Sequence, residues 1–281
     1  MTPLGLTGVL FGVSVAAGFL GALVGTGGGI ILVPAMTLVI GIDIRYAIGA
    51  SIVSVIATSS GSAAAYVRER LANLKVAMFL EVGTTAGALC GAFLAGTIDN
   101  RILFALFGAL TLYSAVAMAG KLRKVPAVAA VAVRADGLAD ALGLHDAFFD
   151  ESTGAHVSYR VANARLGLML MVLAGTVSGL LGIGAGALKV PALDLAMRLP
   201  MKVSTATSNF MIGVTAAASA GVYFARGDID PFVAGPVAVG VVAGSFLGAR
   251  LMTRMKTATL RILFVGVLLW VSVGMLRKGL L

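Results

Sequence analysis

Charge is scarce in this chain: Asp, Glu, Lys and Arg make up 12% of it and hydrophobic residues 59%, with a mean hydropathy of +1.02. A soluble domain carries roughly 25% charged residues, so water is excluded as the solvent for most of this surface. Cysteine is nearly missing too. The single Cys90 rules out an intramolecular disulfide and a Cys-based metal cluster, and its apolar setting reads as packing. The two histidines, His145 and His156, both fall in the polar middle of the chain. With no His-based metal set, paired acids or activated nucleophile in the apolar runs, an enzyme is not expected, and neither is a cofactor. No G-x-x-x-x-G-K-[ST] nucleotide loop occurs, which argues against an ATP-driven pump within this chain. Alternating strand patterns are few, which argues against a membrane barrel. The opening MTPLGLTGVL lacks the basic stretch of a cleavable signal, so the first apolar run is expected to be retained.

What is present is a series of apolar runs, roughly at 5–24, 30–41, 46–66, 76–96 and 102–120, then at 164–181, 187–197, 203–225, 232–249 and 262–276. Most approach the length of about 20 residues that crosses a bilayer as helix. The fold class read from them is an all-α integral membrane protein. Between the two sets lies a polar stretch, 121–163, with Asp136, Asp140, Asp146, Asp150 and Glu151. Its AFFDESTGAHVSYRV sets aromatic and β-branched residues around a Ser-Thr-Gly turn signal, the pattern of a small β-hairpin. Three regions follow: a first transmembrane repeat, 1–120; a linker, 121–163; and a second repeat, 164–281.

The repeats align at a constant offset of 157 residues, which takes Gly25 onto Gly182, Pro34 onto Pro191, Ser51 onto Ser208, Tyr66 onto Tyr223 and Gly83 onto Gly240. The RILF at Arg101 recurs at Arg261. An odd number of crossings per repeat turns the second copy upside down in the membrane. Charge favours this reading. Five crossings per half place 15 of the 21 Lys and Arg on one side, whereas four would divide them 12 to 9. By the positive-inside rule the linker is then cytoplasmic and both termini are outside. The net charge of +9 has its partner in anionic lipid headgroups at that face, and nucleic acid is not needed to explain it. The sequence leaves a homodimer open.

The most distinctive repeat is GTGGGIILVPA, Gly25 to Ala35, which returns as GIGAGALKVPA, Gly182 to Ala192. A helix of about 12 residues rises about 18 Å and cannot span a core of about 30 Å, so each glycine turn is expected to sink inward. Pro34 and Pro191 are expected to start helices there. Two inverted five-helix repeats with broken Gly-rich helices near the midplane would bring free N–H groups and helix dipoles to one anion. Glycine lets a ligand approach the backbone closely. The candidate site residues are Gly27, Gly28, Gly29, Gly184 and Gly186, with Ser51, Thr207, Ser208 and Asn209 from the third segments and Lys189 one turn past Gly186.

Each has a plainer reading. Glycines also permit close helix packing, the role assigned to Gly83, Gly87, Gly91, Gly240, Gly244 and Gly248 at four-residue spacing. The hydroxyls of Ser51, Ser54, Thr207 and Ser208 can bond the preceding helical turn. Lys189 either neutralises an anion or snorkels to the surface. Glu81, alone in its segment, carries a proton or forms a cytoplasm-facing ion pair. GIGAGA fits a dinucleotide fingerprint, but twenty apolar residues precede it where a strand is required.

Taken together, the GxGGGxxxVPA pattern, SGLLGIGAGALKVPAL, STATSNFMIGVTAAASA and FFDESTGAHVSYRV resemble the TauE/SafE family, the sulfite exporter or TSUP permeases, from about Gly18 to the end. Ala185 departs from it, standing where the family more often has glycine. The resemblance implies a secondary transporter of small sulfur-containing anions such as sulfite, sulfoacetate or related organosulfonates in a bacterial inner membrane, with proton coupling suspected. An anion channel, or a membrane subunit of a multi-component transporter, would use similar donors.

Overall fold

The computed structural model describes residues 3–24, 28–122, 136–150, 154–255 and 257–280. Gly25, Thr26 and Gly27 lie outside them, as do residues 123–135 of the linker and residues 151–153, where the sequence placed the hairpin's turn. Long helices dominate. They are α1 (Pro3–Val24), α3 (Ile44–Arg68), α4 (Leu74–Ala95) and α5 (Asn100–Leu122), then α7 (Ala164–Leu181), α9 (Met201–Ala225), α10 (Pro231–Arg254) and α11 (Thr257–Leu280). Among the described residues four stretches are long and apolar enough to cross a membrane: Gly5–Leu23, Leu74–Ala95, Ala164–Leu181 and Pro231–Gly248. The short α2 (Gly29–Pro34) and α8 (Gly186–Pro191) each run on into π-helical turns, Ala35–Ile40 and Ala192–Ala196. Pro34 and Pro191 therefore do not start their helices as the sequence suggested. Each sits at the junction, where a missing N–H and a ring that crowds the carbonyl four residues back loosen the α register into wider turns.

Small residues set the helix directions. A Cβ added at Gly83, Gly87 or Gly91 would meet Leu168, Val172 or Thr176, so α4 and α7 run parallel. Gly240, Gly244 and Gly248 meet Phe11, Val15 and Phe19 in the same way, so α1 and α10 are parallel too. Gly108 instead faces Leu276 while Gly279 faces Ala105, which makes α5 and α11 antiparallel. Cys90 is not a packing residue: it sits exposed on α4.

Outside the long helices, α6 (Gly137–Ala141) and a two-stranded antiparallel sheet, β1 (Asp146–Asp150) and β2 (Ala155–Tyr159), form a small polar layer. Asp136 caps α6 and reaches on to the N–H of Ala164, the first residue of α7. The backbone bonds from Ala164, Ala139 and Leu138, that to Ala164 foremost, hold its carboxyl below the usual range. The layer sits on the helices through Asn73, whose amide donates to the Leu144 carbonyl (2.9 Å) and the Tyr159 hydroxyl (3.0 Å). Lys202, near the start of α9, pairs with Asp150 at 2.8 Å. At the opposite end, where α4 meets α5 and α9 meets α10, an open cavity of about 600 Å³ is lined by Asp43, Arg45, Tyr46, Asn100 and Asp228 among others.

Candidate functional site

Both glycine breaks are left-handed. Gly28 has φ +79°, and at the second break Gly182, Gly184 and Ala185 have φ +64°, +69° and +60°. Such backbone needs glycine or tolerates strain, which explains the glycines before any ligand is considered. From these turns α2 and α8 begin, with the first bonds from Ile31 and Leu32 to the Gly28 carbonyl and from Leu188 and Lys189 to that of Ala185. The breaks also meet. A Cβ on Gly29 would lie 2.6 Å from Ser51 Oγ and 3.2 Å from Ile183 Cα, while one on Gly184 would strike Ile212 and Val55. Gly186, buried, opens α8.

The polar candidates divide among three places. Ser51 belongs to the break: it is fully buried and donates to the Gly182 carbonyl at 3.0 Å, tying α3 to the end of α7. Thr207 does not reach the break. Its hydroxyl accepts the Asn73 N–H at 3.0 Å, beneath the polar layer. Asn209 lies between the two. Its amide donates over 3.4 Å to the Ala22 carbonyl and to the Tyr66 hydroxyl, and its buried Oδ1 has no hydrogen-bond partner among the described residues. Ser208 is buried in α9. Ser54 and Thr58 bond the preceding turn, the plainer of the two readings.

Lys189 neither snorkels nor stands alone. Its side chain is fully buried, its ammonium donates to Thr215 Oγ1, and Glu81 Oε2 lies 3.8 Å away. Thr215 in turn donates to Glu81 Oε1 at 2.6 Å. Thr85, one turn along α4, adds a weaker bond to the same oxygen at 3.4 Å. Glu81 Oε2 itself is buried without a hydrogen bond. Thr207 touches Asn73 and Thr215 touches Glu81, so α4 and α9 run parallel. The charged trio lies eight residues further along both helices, about 12 Å deeper than the polar layer. Ile212, one turn before Thr215, packs on Gly184, so trio and second break are neighbours.

The sequence offered Glu81 and Lys189 as separate oddities and missed Thr215. A signal existed, because Thr215 falls on Thr58 at the same offset of 157. The charges do not repeat: the same offset puts Leu32 opposite Lys189 and Ala238 opposite Glu81. One half supplies the acid and the other the base. A buried ion pair gives little net stability, since desolvation offsets its attraction, but loss of one partner costs about 3–5 kcal/mol. Charges at such depth are a mark of substrate or ion pathways.

The sulfite exporter TauE/SafE family profile matches residues 10–275. A "Probable membrane transporter protein YunE" of Bacillus subtilis is 26% identical over 279 residues, 97% of this chain and 98% of that protein. A "Probable membrane transporter protein" of Xylella fastidiosa is 28% identical over 246 residues, 86% and 83% of the two chains. No solved structure matches the chain. A profile that runs through both glycine breaks, the polar layer and the Glu81–Lys189 pair covers nearly the whole chain, and the protein therefore belongs to the TauE/SafE family of membrane transporters.

Proposed function

We propose that the protein is a secondary transporter of small sulfur-containing anions, such as sulfite, sulfoacetate or related organosulfonates, working by alternating access between two inverted five-helix repeats. The observation that carries this reading is the buried Lys189 ammonium beside the second glycine break. Among the described residues Thr215 is its hydrogen-bond partner, and an ammonium has three donors, so two remain for the oxygens of a sulfite or sulfonate group. Ser51, Ser208, Asn209 and the backbone at Gly27, Gly28, Gly29, Gly184 and Gly186 are the further members proposed for the substrate site. Thr207, whose hydroxyl accepts the Asn73 N–H beneath the polar layer, is the remaining member proposed for that site.

Helix direction supports the repeat arrangement. With five crossings per half, α5 and α11 must be antiparallel and α4 and α9 parallel, as they are; four crossings would reverse both relations. The Lys and Arg bias then favours a cytoplasmic polar layer, termini outside and anionic lipids against the inner face, and membership of the family favours a bacterial inner membrane.

Two experiments test this. Calorimetry of the purified protein with sulfite, sulfate, thiosulfate, sulfoacetate, taurine and simple carboxylates should show saturable binding of sulfur anions, lost in Lys189→Met; no binding by any of them would defeat the substrate reading. After Cys90→Ser removes the exposed thiol, cysteines at Gly154 and Gly227, where added side chains meet nothing, should label from opposite sides of the membrane. Labelling from one side would defeat the inverted arrangement. Large unitary currents in place of saturable flux would make the protein a channel.

A further inference from the structure

We propose that Glu81 is the protein's own stand-in for the transported anion, and that substrate displaces it from Lys189 as Glu81 takes up one proton from solution. The inference rests on the anion reading above and deepens it. Lys189 is buried and its charge needs a counter-charge; in the structure that is Glu81, 3.8 Å away and bridged by Thr215. The bridge is indirect. Glu81 Oε2 has no hydrogen bond, and the closest approach of the two charges exceeds hydrogen-bond length. A direct charge-assisted bond would be harder to exchange than a pair held through a hydroxyl.

The charge balance fixes the proton. Lys189 and Glu81 together are neutral. Adding a monovalent anion would leave one uncompensated negative charge in a medium where that is strongly unfavourable. Protonation of one Glu81 carboxylate oxygen restores neutrality and turns that oxygen into a donor, which can face the anion or the Thr215 hydroxyl. Glu81 is the acid that meets Lys189 and Thr215, whereas the buried Asp194 lies beyond Pro191 on the continuation of α8. From α8 the facing group is Lys189, from α9 Thr215, and from α4 itself Thr85, whereas α7 turns Leu168, Val172 and Gly175 towards α4. The absence of both charges from the equivalent positions, Ala238 and Leu32, gives the protein one such exchange point among its described residues.

A proton count tests this. Isethionate, a sulfonate ionised at every accessible pH, is titrated calorimetrically into the full-length protein near neutral pH in two buffers of different ionisation enthalpy. The wild type should take up about one proton per anion bound, and the infrared difference spectrum of isethionate binding should show that proton as a carboxylic-acid carbonyl band that Glu81→Gln lacks. Binding with no proton uptake by the wild type, or the same carboxylic-acid band in Glu81→Gln, overturns the proposal while leaving the anion reading intact; failure of isethionate and every other sulfur anion to bind overturns both. Should Glu81→Gln not fold, the wild-type count decides alone. Where it folds, isethionate should raise its melting temperature more than that of the wild type, because the unpaired Lys189 then gains its only counter-charge.

Discussion

At position 185 an alanine does what glycine does at position 28. Its φ of +60° places a Cβ in the left-handed region, which costs roughly 1–2 kcal/mol relative to glycine. Ala185 is fully buried, so its methyl returns up to about 0.8 kcal/mol of packing. Ala185→Gly is therefore expected to raise stability by about 0.5 kcal/mol, seen as a small rise in melting temperature in detergent. Gly184→Ala must do the reverse, with φ +69° and a Cβ 2.4 Å from Ile212 Cγ2. That closeness alters how the breaks should be probed. An alanine there disturbs folding as well as any ligand, so a conservative change at Asn209 is a cleaner report on binding.

Among the elements, the glycines of α4 and α10 act as a ruler for helix separation. A Cβ on Gly87 would stand 2.1 Å from the Val172 carbonyl oxygen, and one on Gly244 2.0 Å from that of Val15. Neither carbonyl can move without its helix. Gly87→Ala or Gly244→Ala should cost at least about 1–3 kcal/mol, while Gly235→Ala in α10, which meets nothing, should be neutral or gain up to about 1 kcal/mol from helix propensity. Thermal unfolding of the three variants side by side would check this; equal gains would mean that propensity, and not contact, governs these helices. The spacing of four residues made Gly83, Gly87 and Gly91 legible as a packing face, because periodicity is a property of one segment. The membrane character and the family were legible for the same reason, being carried by local runs such as GTGGG and VPA. The pairing of Glu81 with Lys189 was not. These residues are 108 positions apart, and their meeting depends on which way α4 and α8 face once α9 lies between them. Nor did the two prolines announce their place, since a proline near the start of an apolar run looks the same whether it opens a helix or widens its turns.

On the scale of the molecule, the polar layer ties one half to the other. Asn73, from the first half, holds Leu144 and Tyr159, and Lys202, from the second, holds Asp150. Burial pushes the Tyr159 hydroxyl upward in pKa, so it remains a neutral donor and acceptor throughout the physiological range. Asn73→Ala removes both tethers and the cap on Val76 of α4, and is expected to speed hydrogen exchange across residues 146–159 before it affects the helices. The Asp136 clasp on α7 adds a pH dependence. Its carboxyl is depressed in the folded state, so its stabilisation is present above the ordinary carboxylate value of about 4 and fades as pH falls through the lower folded value. The melting temperature of Asp136→Asn should accordingly fall below that of the wild type at neutral pH and converge with it in acid.

The same layer has a consequence for energy levels. Two identical halves related by inversion would give an outward-open and an inward-open form of equal free energy, because each is the other turned over. A polar cap built once, on one face, removes that degeneracy: its bonds to Asn73 and Lys202 act on one end of the bundle, and the end where Asp43, Arg45 and Asp228 line an open cavity is held by a different set, Arg226 to the Ala92 carbonyl among them. On the proposed alternating-access reading, the form that keeps those bonds intact is favoured over the one that breaks them. An empty carrier of this design rests facing one way, and a modest change in the cap, such as the loss of one carboxylate at Asp150, resets the population at which substrate finds each side.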